Sequence, residues 1–192
     1  PTAWVWSPAT RDWSVGVEID AGVFVGTTVA ILTLRSNGRV LALTITPGTG
    51  QGIVYYSDDD GTTWAEYSRP TLAAPNATKI RWAEDGLGNI LIIAFDETTG
   101  DYVQSVSTDS GVTFSTFNTG LAYGTDPSLH AMPNGRLFLS FRFFATGGGF
   151  TANTVGWITL DDAFDLVADQ TRQILDNGIM STAESCVDAD GL

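Results

Sequence analysis

Residues 57–64 read Ser-Asp-Asp-Asp-Gly-Thr-Thr-Trp, and residues 107–114, 50 positions later, read Ser-Thr-Asp-Ser-Gly-Val-Thr-Phe. Both segments fit the pattern S-x-D-x-G-x-T-[W/F], which defines five positions. Each segment separates two strand-like runs, and this arrangement predicts a hairpin turn in both places. A recurrence at this interval indicates a repeated β architecture.

The residue types of the motif are those that a tight turn requires. The aspartate can accept hydrogen bonds from backbone N–H groups later in the turn, and the glycine supplies a positive φ. The serine and threonine can bond across the hairpin mouth, and the aromatic ring can be buried under the turn. The predicted structural residues are Ser57, Asp59, Gly61, Thr63 and Trp64 in the first motif and Ser107, Asp109, Gly111, Thr113 and Phe114 in the second.

The consecutive carboxylates of residues 58–60 leave a calcium loop as the alternative interpretation of the first motif. The segment lacks the later bidentate glutamate of an EF-hand, and side chains of an extended run alternate between faces. We therefore prefer the turn and predict no metal site and no cofactor.

A second pattern consists of an apolar run, a polar turn that ends in glycine, and another apolar run. It occurs three times, with turn glycines Gly38, Gly88 and Gly135 at intervals of 50 and 47 residues. Two of these turns contain Asn-Gly, a strong hairpin signal. Repeats of roughly 40–50 residues with about four strands each are typical of propellers. The sequence predicts an all-β fold, a β-propeller of four-stranded antiparallel blades.

We expect residues 1–192 to be part of a single propeller domain, present as an incomplete segment of about three to four blades, since propellers close with roughly 4–8 blades. The approximate limits are a partial blade at 1–25, blades at 26–75, 76–122 and 123–178, and a partial blade at 179–192.

The S-x-D-x-G-x-T-[W/F] motif resembles the Asp-box, or bacterial neuraminidase repeat, of sialidase-like β-propellers. In that family the box lies on the outer rim of a blade, between the third and fourth strands and away from the active site. The resemblance implies a structural role for the motif. Sialidases of the family bind the substrate carboxylate with three arginines and use a Tyr–Glu pair and an aspartate for the chemistry.

The first of those three arginines opens an Arg-Ile-Pro tripeptide that precedes the turn glycine of an inner hairpin. Counted back ten residues from Gly38 and Gly135, the corresponding tripeptides are Thr-Val-Ala at 28–30 and Thr-Asp-Pro at 125–127. Threonine cannot supply the guanidinium fork that grips a carboxylate. This favours a protein without sialidase activity, while an arginine elsewhere in a longer protein stays possible.

Few other residues are candidates for a functional site. Asp126, at the predicted start of an inner strand, is the candidate catalytic carboxylate. His130 is the only histidine, and one histidine makes neither a metal site nor a triad. Tyr123 is a further aromatic that could stack on a sugar. The candidate ligand-binding residues are Arg81, Arg142, Trp82 and Trp157.

The net charge of −13, with one lysine and eight arginines, argues against a nucleic-acid partner. No run of about 18 apolar residues suggests a membrane span. We predict a non-catalytic structural or recognition module of a virion, such as a phage tail, or of an extracellular surface assembly. Its expected partners are other subunits or a cell-surface glycan. The alternatives are a sialidase-like glycoside hydrolase and a glycan-binding propeller.

Overall fold

The computed structural model describes residues 2–3, 6–7, 12–13, 17–19, 28–34, 36–46, 48–72, 77–96, 98–122, 124–143, 155–160 and 172–176. All regular elements in these ranges are β-strands. Four two-residue strands come first and form two antiparallel pairs. β1 (Thr2–Ala3) pairs with β4 (Val17–Glu18), and β2 (Trp6–Ser7) pairs with β3 (Asp12–Trp13).

The remaining strands form three antiparallel sheets of four strands, each in chain order. Sheet 1 consists of β5 (Thr28–Thr33), β6 (Val40–Thr46), β7 (Gln51–Ser57) and β8 (Ala65–Ser68). Sheet 2 consists of β9 (Ala77–Glu84), β10 (Ile90–Asp96), β11 (Asp101–Ser107) and β12 (Ser115–Ala122). Sheet 3 consists of β13 (Gly124–Ala131), β14 (Leu137–Phe143), β15 (Val155–Leu160) and β16 (Arg172–Asp176).

These sheets confirm the predicted all-β fold with four-stranded antiparallel blades. They span residues 28–68, 77–122 and 124–176, inside the blade limits given above, although those limits themselves stay a prediction. The two S-x-D-x-G-x-T-[W/F] motifs connect the third and fourth strands of sheets 1 and 2, at residues 57–64 and 107–114.

The three sheets lie against one another through their first strands. β9, the first strand of sheet 2, contacts β5 of sheet 1 on one side and β13 of sheet 3 on the other. The sheets therefore fan outward from β5, β9 and β13, as propeller blades do around an axis. We call these three strands the inner strands.

Apolar residues alternate between the two faces of each sheet and fill the spaces between neighbouring sheets. Leu41 and Leu43 of β6 pack with Ile90 and Ile92 of β10 in the core between sheets 1 and 2. The core between sheets 2 and 3 consists of Ala83, Leu91, Ile93, Phe95, Tyr102, Leu129, Leu137 and Leu139. All seven residues of β10 are buried, because this strand packs against a core on both faces. Each large aliphatic side chain buried in this way contributes about 1.5–3 kcal/mol.

A backbone contact joins the first turns of sheets 2 and 3. In the turn between β9 and β10, the Asp85 carboxylate accepts hydrogen bonds from the N–H groups of Leu87 and Asn89, at 2.9 and 2.7 Å. The N–H of Gly86 donates to the Gly135 carbonyl, in the turn between β13 and β14, at 2.8 Å. A Cβ on Gly86 would lie 2.6 Å from the Gly135 Cα. The two turns are therefore close enough only because residue 86 has no side chain.

Candidate functional site

The first motif loop is organised around the carboxylate of Asp59. Its Oδ1 accepts hydrogen bonds from the Thr63 N–H at 2.8 Å and from the Ser57 hydroxyl at 2.7 Å, and its Oδ2 accepts one from the Thr63 hydroxyl at 2.7 Å. The Ser57 oxygen in turn accepts from the Gly61 N–H at 2.8 Å. Asp60 and Gly61 both have positive φ, 55° and 86°, which lets the chain reverse.

The second motif loop repeats this network around Asp109. Oδ1 accepts from the Thr113 N–H at 2.9 Å and from the Ser107 hydroxyl at 2.8 Å, and Oδ2 accepts from the Thr113 hydroxyl at 2.6 Å. The Ser107 oxygen accepts from the Gly111 N–H at 2.8 Å. In both loops the two hydroxyls donate to the aspartate instead of bonding to each other across the hairpin mouth. The motif thus specifies one hydrogen-bonded turn in two sheets.

These hydrogen bonds determine the acidity of Asp59. The bonds from the Thr63 hydroxyl and N–H, followed by the one from Ser57, lower the pKa of Asp59 from its ordinary 3.8 to about 2. A depressed pKa means that folding favours the ionised form. Its stabilising contribution is complete above pH 3.8 and is lost as the pH falls through about 2.

We therefore expect the free energies of unfolding of the wild-type protein and of Asp59→Asn to become more similar as the pH falls from 5 to 2. Protonation of Asp59 in the wild-type protein removes the charge that the turn stabilises. Thermal unfolding of both proteins across this range, with a carbon-13 titration of the Asp59 carboxyl, measures the effect. A wild-type Asp59 that titrates near 3.8 would contradict the hydrogen-bonded turn.

The second motif loop also attaches sheet 2 to sheet 1. The Ser68 hydroxyl, at the end of β8, donates to the Gly111 carbonyl at 2.7 Å. A Cβ on Gly111 would lie 3.4 Å from Leu41 Cδ1 and 3.5 Å from Tyr67 Cε1, both in sheet 1. Phe114, partly buried, packs against the core between the two sheets. The loop is therefore a contact between sheets as well as a local turn.

The first motif loop is held by an arginine from the turn between β5 and β6. Arg39 Nε and Nη2 donate to the two carboxylate oxygens of Asp58 at 2.6 and 2.8 Å. The guanidinium also lies over the rings of Tyr56 and Tyr67, with its Cζ 4.5 and 5.1 Å from their centroids. The hydrogen bonds from Arg39 lower the pKa of Asp58. This arginine and this carboxylate therefore bind each other and form part of the turn structure.

The inner strand β9 carries two cations on one face. Ile80 and Trp82 pack into the core between sheets 1 and 2. Because side chains alternate along a strand, Lys79 and Arg81 lie on the opposite face. Arg81 is exposed and Lys79 is partly buried. Within the described residues, the Arg81 guanidinium makes one hydrogen bond, from Nη1 to the Ile80 carbonyl at 2.8 Å.

The structure separates the two candidates on β9. Trp82 is 6% exposed and its ring is enclosed by the inter-sheet core, so a sugar cannot stack on it. Trp82 is therefore a core residue, and the expectation of a ligand contact there is corrected. Its indole N–H has no hydrogen-bond partner among the described residues. Arg81, its neighbour, is the candidate that remains accessible.

The other candidates are described only by their backbone. Asp126 lies in β13, where the register with β14 shifts between Thr125 and Ser128. Thr125 is opposite Arg142, so Asp126 and Arg142 lie at the same end of sheet 3. Trp157 lies in β15 opposite Ser140. Tyr123 lies outside the described residues.

The tripeptides in which a triad arginine was expected lie on inner strands. Residues 28–30 begin β5, and residues 125–127 follow the first residue of β13. The corresponding positions of β9, residues 78–80, read Thr-Lys-Ile. None of the three segments has arginine. On β13, the Ser128 hydroxyl and His130 Nε2 lie 2.8 Å apart, so the single histidine has a local hydrogen-bond partner.

In the described ranges, no group of three or more His, Cys, Asp or Glu residues is placed to hold a metal ion. The same ranges contain no helix long and apolar enough to cross a membrane.

The chain matches no protein-family model and no curated protein. It is similar in structure to a protein of unknown function from Dyadobacter fermentans, with a TM-score of 0.70 and 15% identity over 91% of this chain and 52% of that one. It is also similar to the NanB sialidase of Streptococcus pneumoniae, with a TM-score of 0.64 and 22% identity over 88% of this chain and 27% of that one. The α-L-arabinanase of Penicillium chrysogenum gives a TM-score of 0.61 and 17% identity over 85% of this chain and 55% of that one.

These similarities, at identities of 22% or less, establish the fold. The chain has the fold of a β-propeller segment, built from four-stranded antiparallel sheets. It spans between about a quarter and just over half of the length of the three similar structures.

Proposed function

We propose that this chain is part of an Asp-box β-propeller that recognises an acidic carbohydrate through its inner strands and does not cleave it. The observation that carries the proposal is the exposed guanidinium of Arg81 on β9, between β5 and β13. Small-molecule sites are commonly found where several elements converge, as at the mouths of β-barrels.

The chemistry of this face fits a carboxylate ligand. A guanidinium presents its N–H donors in a planar fork, and a carboxylate accepts two parallel hydrogen bonds from it. Lys79, the only lysine of the chain, lies on the same face two residues away and adds a second positive charge. In a chain of net charge −13, this pair gives an anion a local concentration of positive charge.

The absence of hydrolysis is proposed from the inner-strand tripeptides. Residues 28–30, 78–80 and 125–127 offer no guanidinium at the place where the resemblance would put the first triad arginine. A single accessible arginine can orient a carboxylate, whereas the sialidase reaction as the family performs it uses three arginines with a Tyr–Glu pair. Binding without turnover is the function that these residues support.

The setting that we propose is an extracellular surface or a virion, such as a phage tail, with other subunits of an assembly as partners. An acidic, lysine-poor composition with 21 glycines is compatible with a surface module. Other soluble proteins share this composition. The proposed function therefore rests on glycan binding and not on composition.

A glycoside hydrolase is the second candidate. It is favoured by the named enzymes among the similar structures, a sialidase and an arabinanase. It requires further arginines and a nucleophile to converge with Arg81. Release of product from a fluorogenic sialoside by the wild-type protein would support the hydrolase over the binding module.

Replacing Arg81 by glutamine is expected to weaken the binding of 3′-sialyllactose or trigalacturonate at least tenfold, which is about 1.4 kcal/mol, because the bidentate charge-assisted hydrogen bonds to the carboxylate are lost. Isothermal titration calorimetry at low ionic strength measures the affinity, with lactose as the neutral probe. The wild-type protein should bind at least one of the acidic probes more tightly than lactose.

Arg136→Gln is the matched control, because it removes the same charge from the turn between β13 and β14 instead of the inner strand. If Arg81→Gln and Arg136→Gln lose the same amount of affinity for the acidic probes, the effect arises from net charge. This result would contradict a site on β9. No preference for either acidic probe over lactose would overturn the proposed ligand class.

A further inference from the structure

A groove runs along the outer rim between sheets 1 and 2, far along each sheet from the inner strands. Its volume is about 580 Å³, within the range of roughly 300–1,000 Å³ that is typical of small-molecule sites. One wall comes from the end of β8 and the residues after it, and the other from the second motif loop and β12. The lining residues are Ser68, Arg69, Pro70, Thr71, Val112, Thr113, Phe114 and Thr116.

The walls combine apolar and hydroxyl groups. Val112, at the tip of the second motif loop, is 48% exposed and gives the groove an apolar surface. Pro70 and Phe114 add two flat apolar surfaces to the same groove. Four further lining residues carry hydroxyl groups, namely Ser68, Thr71, Thr113 and Thr116.

Three of these hydroxyls are held by the protein. Ser68 donates to the Gly111 carbonyl at 2.7 Å and Thr113 donates to Asp109 at 2.6 Å. The Thr116 hydroxyl is hydrogen-bonded to that of Ser105 at 2.5 Å. The hydroxyls of Ser68 and Thr113, which donate their protons, keep their acceptor lone pairs in a fixed direction. The groove therefore presents pre-oriented polar groups beside an apolar surface.

The charge of the groove is close to neutral. Arg69 is the charged lining residue, and its Nε and Nη2 each donate to a carboxylate oxygen of Glu66 at 2.7 Å. An acidic ligand would have to compete with this carboxylate and with the net charge of the chain. The groove thus differs in chemistry from the cationic face of β9.

We propose that this rim groove is a second binding site, and that it takes one neutral sugar residue of a glycan. A neutral pyranose has an apolar C–H face and a ring of hydroxyl donors and acceptors. The C–H face of the sugar matches Val112, Pro70 and Phe114. Its hydroxyl groups match the fixed hydroxyl groups of the groove. This site stands on its own lining residues and does not depend on the proposed function of Arg81.

The test uses four probes, the methyl glycosides of galactose, mannose, fucose and N-acetylglucosamine, titrated into nitrogen-15-labelled protein. We expect at least one probe to shift the amide signals of residues 112, 113 and 116 in a saturable manner. Val112→Glu should weaken that binding at least tenfold, because it places a charged group on the apolar wall. Thr62→Glu, the same change at the equivalent position of the first motif, should leave it unchanged.

Thr71→Trp is a second variant, which fills the groove from the opposite wall and should also abolish the shifts. The proposal is overturned if none of the four probes shifts these amides, or if Val112→Glu and Thr71→Trp both bind as the wild-type protein does. Arg81→Gln should not affect this titration, and Val112→Glu should not affect the binding of 3′-sialyllactose. Each of the two proposed sites can therefore be disproved without affecting the other.

Discussion

Replacing Gly86 by alanine is expected to lower the free energy of unfolding by about 2–4 kcal/mol, the largest effect that we predict for a single methyl group. The new Cβ would lie 2.6 Å from the Gly135 Cα, so one of the two turns must move. Such overpacking costs about 1–3 kcal/mol. The movement also lengthens the 2.8 Å hydrogen bond from Gly86 to the Gly135 carbonyl, which contributes about 1 kcal/mol.

Urea unfolding followed by tryptophan fluorescence measures this loss. Leu87→Ala is the control in the same turn, because the Leu87 side chain is 71% exposed and its removal should change stability by less than about 0.5 kcal/mol. If Gly86→Ala is as stable as the wild-type protein, the two turns do not touch, and sheets 2 and 3 are not neighbours of the kind described.

Replacing Asp109 by alanine is expected to lower the free energy of unfolding by about 1–3 kcal/mol. The change removes the acceptor for the Thr113 N–H and hydroxyl and for the Ser107 hydroxyl. Thr113 is exposed and can bond to water, whereas Ser107 is 1% exposed and loses the acceptor of its hydroxyl proton in a dry environment. The loss therefore falls mainly on the buried serine.

The same substitution should loosen the contact between sheets, since Gly111 lies in this loop and accepts a hydrogen bond from Ser68. Native-state hydrogen exchange should show faster exchange at the Gly111 and Thr113 amides in Asp109→Ala. Thr108→Ala, at an exposed position of the same loop, is the control and should exchange like the wild-type protein. Unchanged stability in Asp109→Ala would mean that the carboxylate does not organise the turn.

Much of the fold follows from local patterns in the sequence. The turn glycines Gly38, Gly88 and Gly135 all have positive φ, as the polar turns between apolar runs require. The two motifs lie between third and fourth strands, because Asp and Gly at fixed offsets specify that turn wherever strands precede and follow it. These features depend on residues that are close in the sequence, so a single chain reveals them.

Contacts between distant segments could not be predicted in this way. Arg39 lies beside a turn, yet it binds Asp58, 19 positions away, and covers two tyrosine rings. The approach of Gly86 to Gly135 and of Ser68 to Gly111 joins residues of different sheets. Such pairs produce no periodic pattern in the sequence, because each depends on how the twisted sheets pack against one another.

The candidate site was predictable only in part, for a similar reason. Alternation along β9 places Arg81 and Trp82 on opposite faces, but it does not say how far the neighbouring sheets cover each side chain. The packing of the sheets decides this: the core between sheets 1 and 2 buries Trp82, whereas Arg81, on the face towards sheet 3, is exposed. The rim groove gave no signal at all, since its two walls come from different sheets.

The arrangement that matters most for function has β5, β9 and β13 as inner strands and Arg81 accessible from the space they surround. A crystal structure of the protein with 3′-sialyllactose tests it most directly. We expect these three strands to lie side by side at the axis of the propeller, with the Arg81 guanidinium on the ligand carboxylate. Inner strands found at the outer edge, or an Arg81 side chain covered by a neighbouring blade with the ligand bound elsewhere, would contradict it.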